Sequence, residues 1–400
     1  MGVPRKVPRI PWSAAAARPF QPPGWRSVPA LRQNLSMRLQ EIDTPALVVE
    51  LDILERNLAR AASYAGRHGL RLRPHAKTHK SVRLARRQLE SGAAGLTVAK
   101  VSEAEVMLRA DPEDLLVAYP IVGRAKLERL MQVARRTRVT VALDSLFAAL
   151  QLSVAARAAR VQAGVLAEVD AGLGRVGVSP GEPLIELARG IRGLSNLSFE
   201  GIAFYPGHVR SWDDAGRAAF AGVADLLRHV LAGLRRSGIE VRTVSGGSTP
   251  TLFHSHEIPG LTEIRPGTYV FNDVNTVHSG ACSWADCAVA VLATVVSTAR
   301  PGQIIVDGGS KTFSSDRLAD PADATFGCVT DAPSARFHKM NEEHGFIDIA
   351  RVQRQFAVGD RLRIIPNHVC ATVNLHDRIF ALRGDAVEGI IEVDARGKLT

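Results

Sequence analysis

Two lysines, two histidines and an arginine crowd into Arg73-Pro74-His75-Ala76-Lys77-Thr78-His79-Lys80, directly after an apolar run. A lysine held there can attack a carbonyl if partial desolvation lowers its pKa and leaves a neutral amine. The competing reading is a basic loop in solvent. Further along, Glu168–Gly177 is a glycine-rich turn that presents Arg175, and Tyr205-Pro206-Gly207-His208 brings a phenol and an imidazole together. In Ser245-Gly246-Gly247-Ser248-Thr249-Pro250-Thr251 the glycines let backbone N–H groups approach an anion and the hydroxyls add donors. His368 and Cys370 follow another apolar run, and on an extended strand their side chains would share one face, which suits two ligands of a thiophilic divalent metal such as zinc. Two protein ligands leave positions for water or substrate, as at a catalytic metal. An ordinary His–Cys pair in a core is the alternative, and these two residues by themselves favour it.

The elements that would position these groups alternate from Thr44 onward: short β-branched runs, then longer stretches of helical period, the pattern of repeated βα units and a parallel sheet. Strands are predicted at Ala46–Leu51, Leu70–Pro74, Gly95–Ala99, Leu115–Tyr119, Val139–Leu143, Val165–Val169, Phe199–Phe204 and Val241–Ser245. Between them lie helices, one N-capped by Asp52 and another joining Trp212 to Ser237. Eight such strands close into a (β/α)8 barrel better than they form an open sheet, and a barrel's chemistry sits at the strands' C-terminal ends, where every motif above falls except His368-x-Cys370. After about Val277 the helical period ends. Ala288–Ser297, Gln303–Asp307, Arg361–Ile365 and Ile390–Val393 then predict a β-rich domain, so the expected division is a tail at 1–40, a barrel at 41–277 and a β-domain at 278–400.

The net charge of +10 suggests nucleic acid until it is located: Arg5, Lys6, Arg9, Arg18, Arg26, Arg32 and Arg38 precede the first acidic residue, leaving +3 for the remainder. Without an aromatic-plus-basic repeat or a finger pattern, a nucleic-acid role is not expected. The Pro-rich basic tail reads as a disordered extension, a targeting peptide, or a start placed upstream of Met37. Four scattered cysteines argue against a disulfide framework, and no apolar run is long enough to cross a bilayer, so a cytoplasmic protein is expected.

Jointly the motifs resemble the D-serine dehydratase and D-threonine aldolase group, whose barrel is that of the alanine racemase-like, fold type III pyridoxal-phosphate (PLP) enzymes. The resemblance runs from about Ile42 to Val393 and rests on RPHAKTHK (73–80), EVDAGLGRVGV (168–178), YPGH (205–208), SGGSTPT (245–251), RPGTYVFND (265–273), DGGSKTFSSD (307–316), EEHG (342–345) and PNHVCATVNLHD (366–377). It implies that Lys77 carries the cofactor as a Schiff base and that Gly246, Gly247, Ser248 and Thr249 cradle its phosphate with Tyr269. It also implies that Arg175 approaches the cofactor's phenolic oxygen and that Tyr205 or His208 contacts its ring. His368 and Cys370 match the group's metal pair. Aldolases of the group tend to show His-x-Asp and dehydratases His-x-Cys, so this chain resembles the dehydratases, and a thiolate favours zinc over manganese or magnesium.

The implied reaction is loss of water from a D-3-hydroxy amino acid to give an α-keto acid and ammonia, with Lys77 taking the α-proton. The alternative is retro-aldol cleavage to glycine and an aldehyde. A non-lyase PLP carrier or racemase-like protein is a second alternative, against which the β-domain and the metal pair argue. By analogy with the fold's relatives a homodimer is expected.

Overall fold

The computed structural model describes residues 37–318 and 324–400. It separates into two compact units. Residues up to Asn57, Val270–His278 and Cys282–Arg396 form one; Leu58–Tyr269, Ser279–Ala281 and Gly397–Thr400 form the other.

In chain order the strands are β1 (Ala46–Glu50), β2 (Arg71–Leu72), β3 (Leu96–Val98), β4 (Asp114–Val117), β5 (Arg138–Leu143), β6 (Ala163–Glu168), β7 (Leu197–Ala203), β8 (Thr243–Gly246) and β9 (Glu263–Ile264). Strands β10 (Val289–Arg300), β11 (Gln303–Val306), β12 (Gly327–Val329), β13 (Arg336–Met340), β14 (Gly345–Asp348), β15 (Arg361–Pro366), β16 (Arg378–Arg383) and β17 (Ala386–Glu392) follow.

The barrel unit holds eight parallel strands in the order β2-β9-β8-β7-β6-β5-β4-β3. Hydrogen bonds from Ala94 N to Leu72 O, from Thr97 N to Pro74 O and from Ala76 N to Thr97 O, each 2.8 Å, join the two ends of that order. Strands such as β6 are buried at every position, as a sheet covered on both faces requires. Inside, Leu116, Ala142, Leu166 and Ala203 pack as one apolar layer. Toward the strands' N-terminal ends Arg73 bridges Asp114 and Glu263, with both closest N···O distances 2.8 Å, so the buried guanidinium is compensated on two sides.

Eight barrel strands are present as expected, but one is different. The run predicted as the first, Ala46–Leu51, is β1, and it pairs antiparallel with β10 and parallel with β16 in the other unit. All five of its residues are buried, and such a run looks the same whichever sheet receives it. The true eighth strand, β9, is two residues beginning with a glutamate, too short to show a period. The helix predicted to be capped by Asp52 starts at Leu51, and Asp52 pairs instead with Arg383 from the first turn.

The second unit is built on a nine-stranded sheet running β13-β14-β11-β10-β1-β16-β17, with β15 joining β10 and β12. Four residues of the predicted tail belong here: Leu39 is buried, its N–H donates to Asp385 O, and Val387 N donates to Met37 O. The rest of the tail, 1–36, lies outside the described residues. No helix among the described residues is long and apolar enough to cross a membrane.

One acid of this sheet works against it. Glu50 is 4% exposed, and burial pushes its carboxyl from 4.5 up to about 7 against the opposing pull of Arg363 and Arg383. The folded form keeps a proton that the unfolded chain releases, so Glu50's contribution is full below pH 4.5 and lost as pH rises through about 7. Glu50→Gln is therefore expected to raise thermal stability at pH 8 by at most about 3 kcal/mol and to leave it unchanged near pH 4; equal gains at both pH values would rule the titration out.

Candidate active site and metal centre

The sequence offered two lysines for the covalent role, and their surroundings separate them. Lys80, in a left-handed conformation with φ 52°, is buried, and its Nζ lies 3.1 Å from Glu103 Oε1. That ammonium is committed to a carboxylate. Lys77 is exposed, and its backbone N–H donates to His75 Nδ1 at 3.4 Å. Protein side chains therefore do not supply the desolvation expected from sequence. The loop instead leaves the Lys77 amine open to whatever enters the barrel mouth.

The residues around that mouth arrive from the ends of the strands. Beyond β2, buried His75 feels the charges of Lys77, Arg265 and Arg175, and burial above all drives its imidazole well below the usual range, so it is neutral near pH 7. Beyond β6, the Asp170 carboxylate accepts from the N–H groups of Gly172, Leu173 and Gly174, shaping the turn that presents Arg175. Arg175 lies 4.8 Å over the Tyr205 ring, so these two predicted contacts are brought together. A side chain at residue 172 would meet His208 Cε1 at 3.1 Å, which places His208 against the same turn. Its Nδ1 is buried without a partner among the described residues.

Beyond β8 the two glycines have different reasons. A Cβ at Gly246 would come within 2.1 Å of Phe204 Cε1, so the Phe204 ring, just past β7, leaves no room for a side chain there; Gly247 has φ +87°. The donors of the loop are partly spoken for. Ser248 N donates to Thr251 Oγ1 at 3.1 Å, whereas Thr249 Oγ1 accepts from Tyr269 N at 3.1 Å, which leaves the Thr249 hydroxyl proton to be donated onward. Gly246, Gly247, Ser248 and Thr249 are thus gathered with the Tyr269 backbone in one buried glycine turn that carries hydroxyl and amide groups. A phosphate-bearing cofactor fits this chemistry: an open amine, an orphaned imidazole nitrogen and hydroxyl donors on a glycine turn.

Two further residues of this mouth were not singled out in the sequence. Arg265, at the end of β9, donates to Ser245 Oγ at 2.6 Å and to Phe204 O at 3.0 Å, clamping the ends of three strands. Buried Glu168 has its carboxyl raised, by burial first, against Arg265 and Arg175. Both lie inside motifs that had been noted, but their burial could not be read from spacing.

In the other unit, His368 and Cys370 do not share a strand face. Strand β15 ends at Pro366, His368 is still extended, and Cys370 stands in the short helix Val369–Val373. The buried Asp273 carboxylate makes this turn: its Oδ2 accepts from Val369 N at 3.0 Å and lies 3.3 Å from His368 Nδ1. The pair is nonetheless within hydrogen-bond reach, and the Cys370 charge, ahead of Asp273, holds the His368 imidazolium up to about 11. Asp273 is the residue missed from sequence, a carboxylate behind a histidine that fixes its ring. No group of three or more His, Cys, Asp and Glu side chains is gathered for a metal among the described residues. With the imidazolium proton displaced, a nitrogen and a sulfur backed by a carboxylate would suit a divalent metal completed by water or substrate, not a closed structural site.

Comparison with known proteins decides the family. A model of the alanine racemase N-terminal domain matches residues 49–274, and one of a putative serine dehydratase domain matches 288–382. The D-threonine aldolase of Arthrobacter sp. is 36% identical over 368 residues, 90% of this chain and 94% of that one. The chain belongs to the D-serine dehydratase and D-threonine aldolase group. Within this group of PLP-dependent lyases it is also 34% identical to the D-threo-3-hydroxyaspartate dehydratase of Delftia sp. (strain HT23), covering 84% of this chain and 92% of that one. The crystal structure of D-threonine aldolase from Filomicrobium marinum superposes with a TM-score of 0.86 at 34% identity, over 91% of this chain and 99% of that one.

Proposed function

We propose that the protein eliminates water from a D-3-hydroxy amino acid, giving an α-keto acid and ammonia. The observation that carries the reading is the His368–Cys370 pair backed by Asp273, a donor set for a thiophilic metal. Bound pyridoxal 5'-phosphate supplies the electron sink that accepts the pair left on Cα. Lys77 would hold it covalently, with the Gly246–Thr249 turn and Tyr269 on its phosphate and Arg175, Tyr205 and His208 around its ring. A divalent metal, zinc in this reading, supplies a Lewis acid for the β-hydroxyl.

The chain's own groups do the rest. Lys77 Nζ, committed to no carboxylate among the described residues, takes the proton from Cα. His75, kept neutral by burial, adds no charge that would hold a carboxylate substrate in the wrong place. Asp273 keeps the His368 ring in one orientation, with Nδ1 turned to the carboxylate.

The second reading is retro-aldol cleavage to glycine and an aldehyde, favoured by the 36% identity to a D-threonine aldolase and by the 0.86 superposition on another. The two are separated by products. Protein loaded with PLP and zinc is incubated with D-serine, D-threonine and D-threo-3-hydroxyaspartate, and keto acid and glycine are assayed separately. Keto acid that disappears on chelation is the expected outcome; glycine with an aldehyde makes it an aldolase despite Cys370.

A further inference from the structure

The second histidine of the HAKTHK segment has no part in the chemistry above, yet it is fully buried and hydrogen-bonded on both sides. His79 Nδ1 accepts the Ser81 backbone N–H at 3.1 Å. Burial pushes the imidazole down to about 4, so the ring is neutral and its one proton sits on Nε2. That nitrogen lies 3.1 Å from Gln88 Oε1, which must accept. The amide of Gln88 is thereby oriented, and its Nε2 donates to Tyr269 Oη at 3.2 Å. A phenol oxygen that accepts from one side has its own proton to give on another. All four groups are buried, and the chain starts from a backbone N–H, so the donors run in one direction along it.

We propose that His79 and Gln88 are positioning residues that fix the Tyr269 hydroxyl as a hydrogen-bond donor to the cofactor's phosphate. This rests on the reading of Gly246–Thr249 and Tyr269 as the phosphate cradle. The helix Val82–Glu90 carries Gln88, so the segment that presents Lys77 to one end of the cofactor also sets the polarity of the cradle at the other. The direction of every bond is dictated from a backbone N–H, a group that cannot reverse. The Tyr269 phenol, which burial holds above its usual pKa, stays protonated and able to donate.

The test is the ratio of affinities for pyridoxal 5'-phosphate and for pyridoxal, which lacks the phosphate, measured on the cofactor-stripped protein by equilibrium titration. Gln88→Met keeps the side chain's shape and removes its polar atoms. It is expected to weaken pyridoxal 5'-phosphate by about 10-fold while pyridoxal stays within about twofold, the loss typical of a hydrogen bond to a charged group. Gln88→Glu, whose ionised carboxylate would take the Tyr269 proton, is expected to act in the same direction and more strongly, and serves if the first variant does not fold. Equal loss for both ligands, or none for either, overturns the relay. Tyr269→Phe separates the two readings: a phosphate-selective loss there without one in the Gln88 variants leaves the cradle standing and sinks the relay. No selective loss in Tyr269→Phe removes the cradle itself.

Discussion

Lys77→Ala is expected to abolish turnover, by at least the roughly 10²- to 10⁴-fold that positioned proton transfer contributes, while leaving thermal stability within about 0.5 kcal/mol of the parent. The second half of that expectation follows from the structure: Lys77 is exposed, so its removal leaves no cavity and no stranded charge. Borohydride reduction of the loaded parent should fix the cofactor to the peptide containing Lys77, and the variant should show no such adduct. Lys80 makes the contrast. It sits three positions on, in the same motif, but its 3.1 Å contact with Glu103 is buried on both sides, so Lys80→Met strands a carboxylate in the interior. A loss of about 3–5 kcal/mol is expected there, with the adduct at Lys77 retained in whatever folds. An adduct on Lys80, or a Lys77→Ala variant that turns over normally, would reverse the assignment.

That two lysines in one motif behave so differently shows what a sequence can and cannot carry. The motif's place after an apolar run put both at a barrel mouth, and the mouth is where they are. Which amine is committed depends on Glu103, 23 positions on from Lys80 and in no motif with it, and such a pairing exists only once β2 and β3 are brought side by side. The same holds for Asp273: its own motif was legible, but its hold on His368 spans 95 positions. Local signals were sound where the property is local. The glycine turn after β8, the helix ending at Arg236 and the strand Gln303–Val306 all lie close to where period and turn residues put them. They failed where two environments dictate the same local pattern, as in β1, whose apolar run suits either sheet. For the His–Cys pair only the expected strand failed. Strand alternation gave a reason for the two side chains to meet, and the chain bends into a helix there, yet they meet through a carboxylate-capped turn.

That turn makes the second large expectation specific. His368→Ala and Cys370→Ala should each bind less than stoichiometric zinc, measured by elemental analysis after dialysis, and lose turnover, while cofactor binding in the barrel unit is unchanged. Asp273→Asn is the more informative change, because it removes no ligand. Its expected effect is a 10- to 100-fold weaker metal affinity, the usual cost of losing an outer carboxylate, with some loss of stability because Asp273 Oδ2 also caps Val369 and its Oδ1 accepts from Thr276 N at 2.9 Å. Cys370→Asp then tests the chemistry of the donor itself: replacing a soft thiolate by a carboxylate should shift preference from zinc toward manganese or magnesium. If the shift in metal is accompanied by glycine in place of keto acid, the residue two past His368 sets the outcome of the reaction. If the metal changes and the product does not, the choice between eliminating water and breaking Cα–Cβ lies with the groups of the barrel mouth, and His75, Arg175 and His208 become the residues to vary.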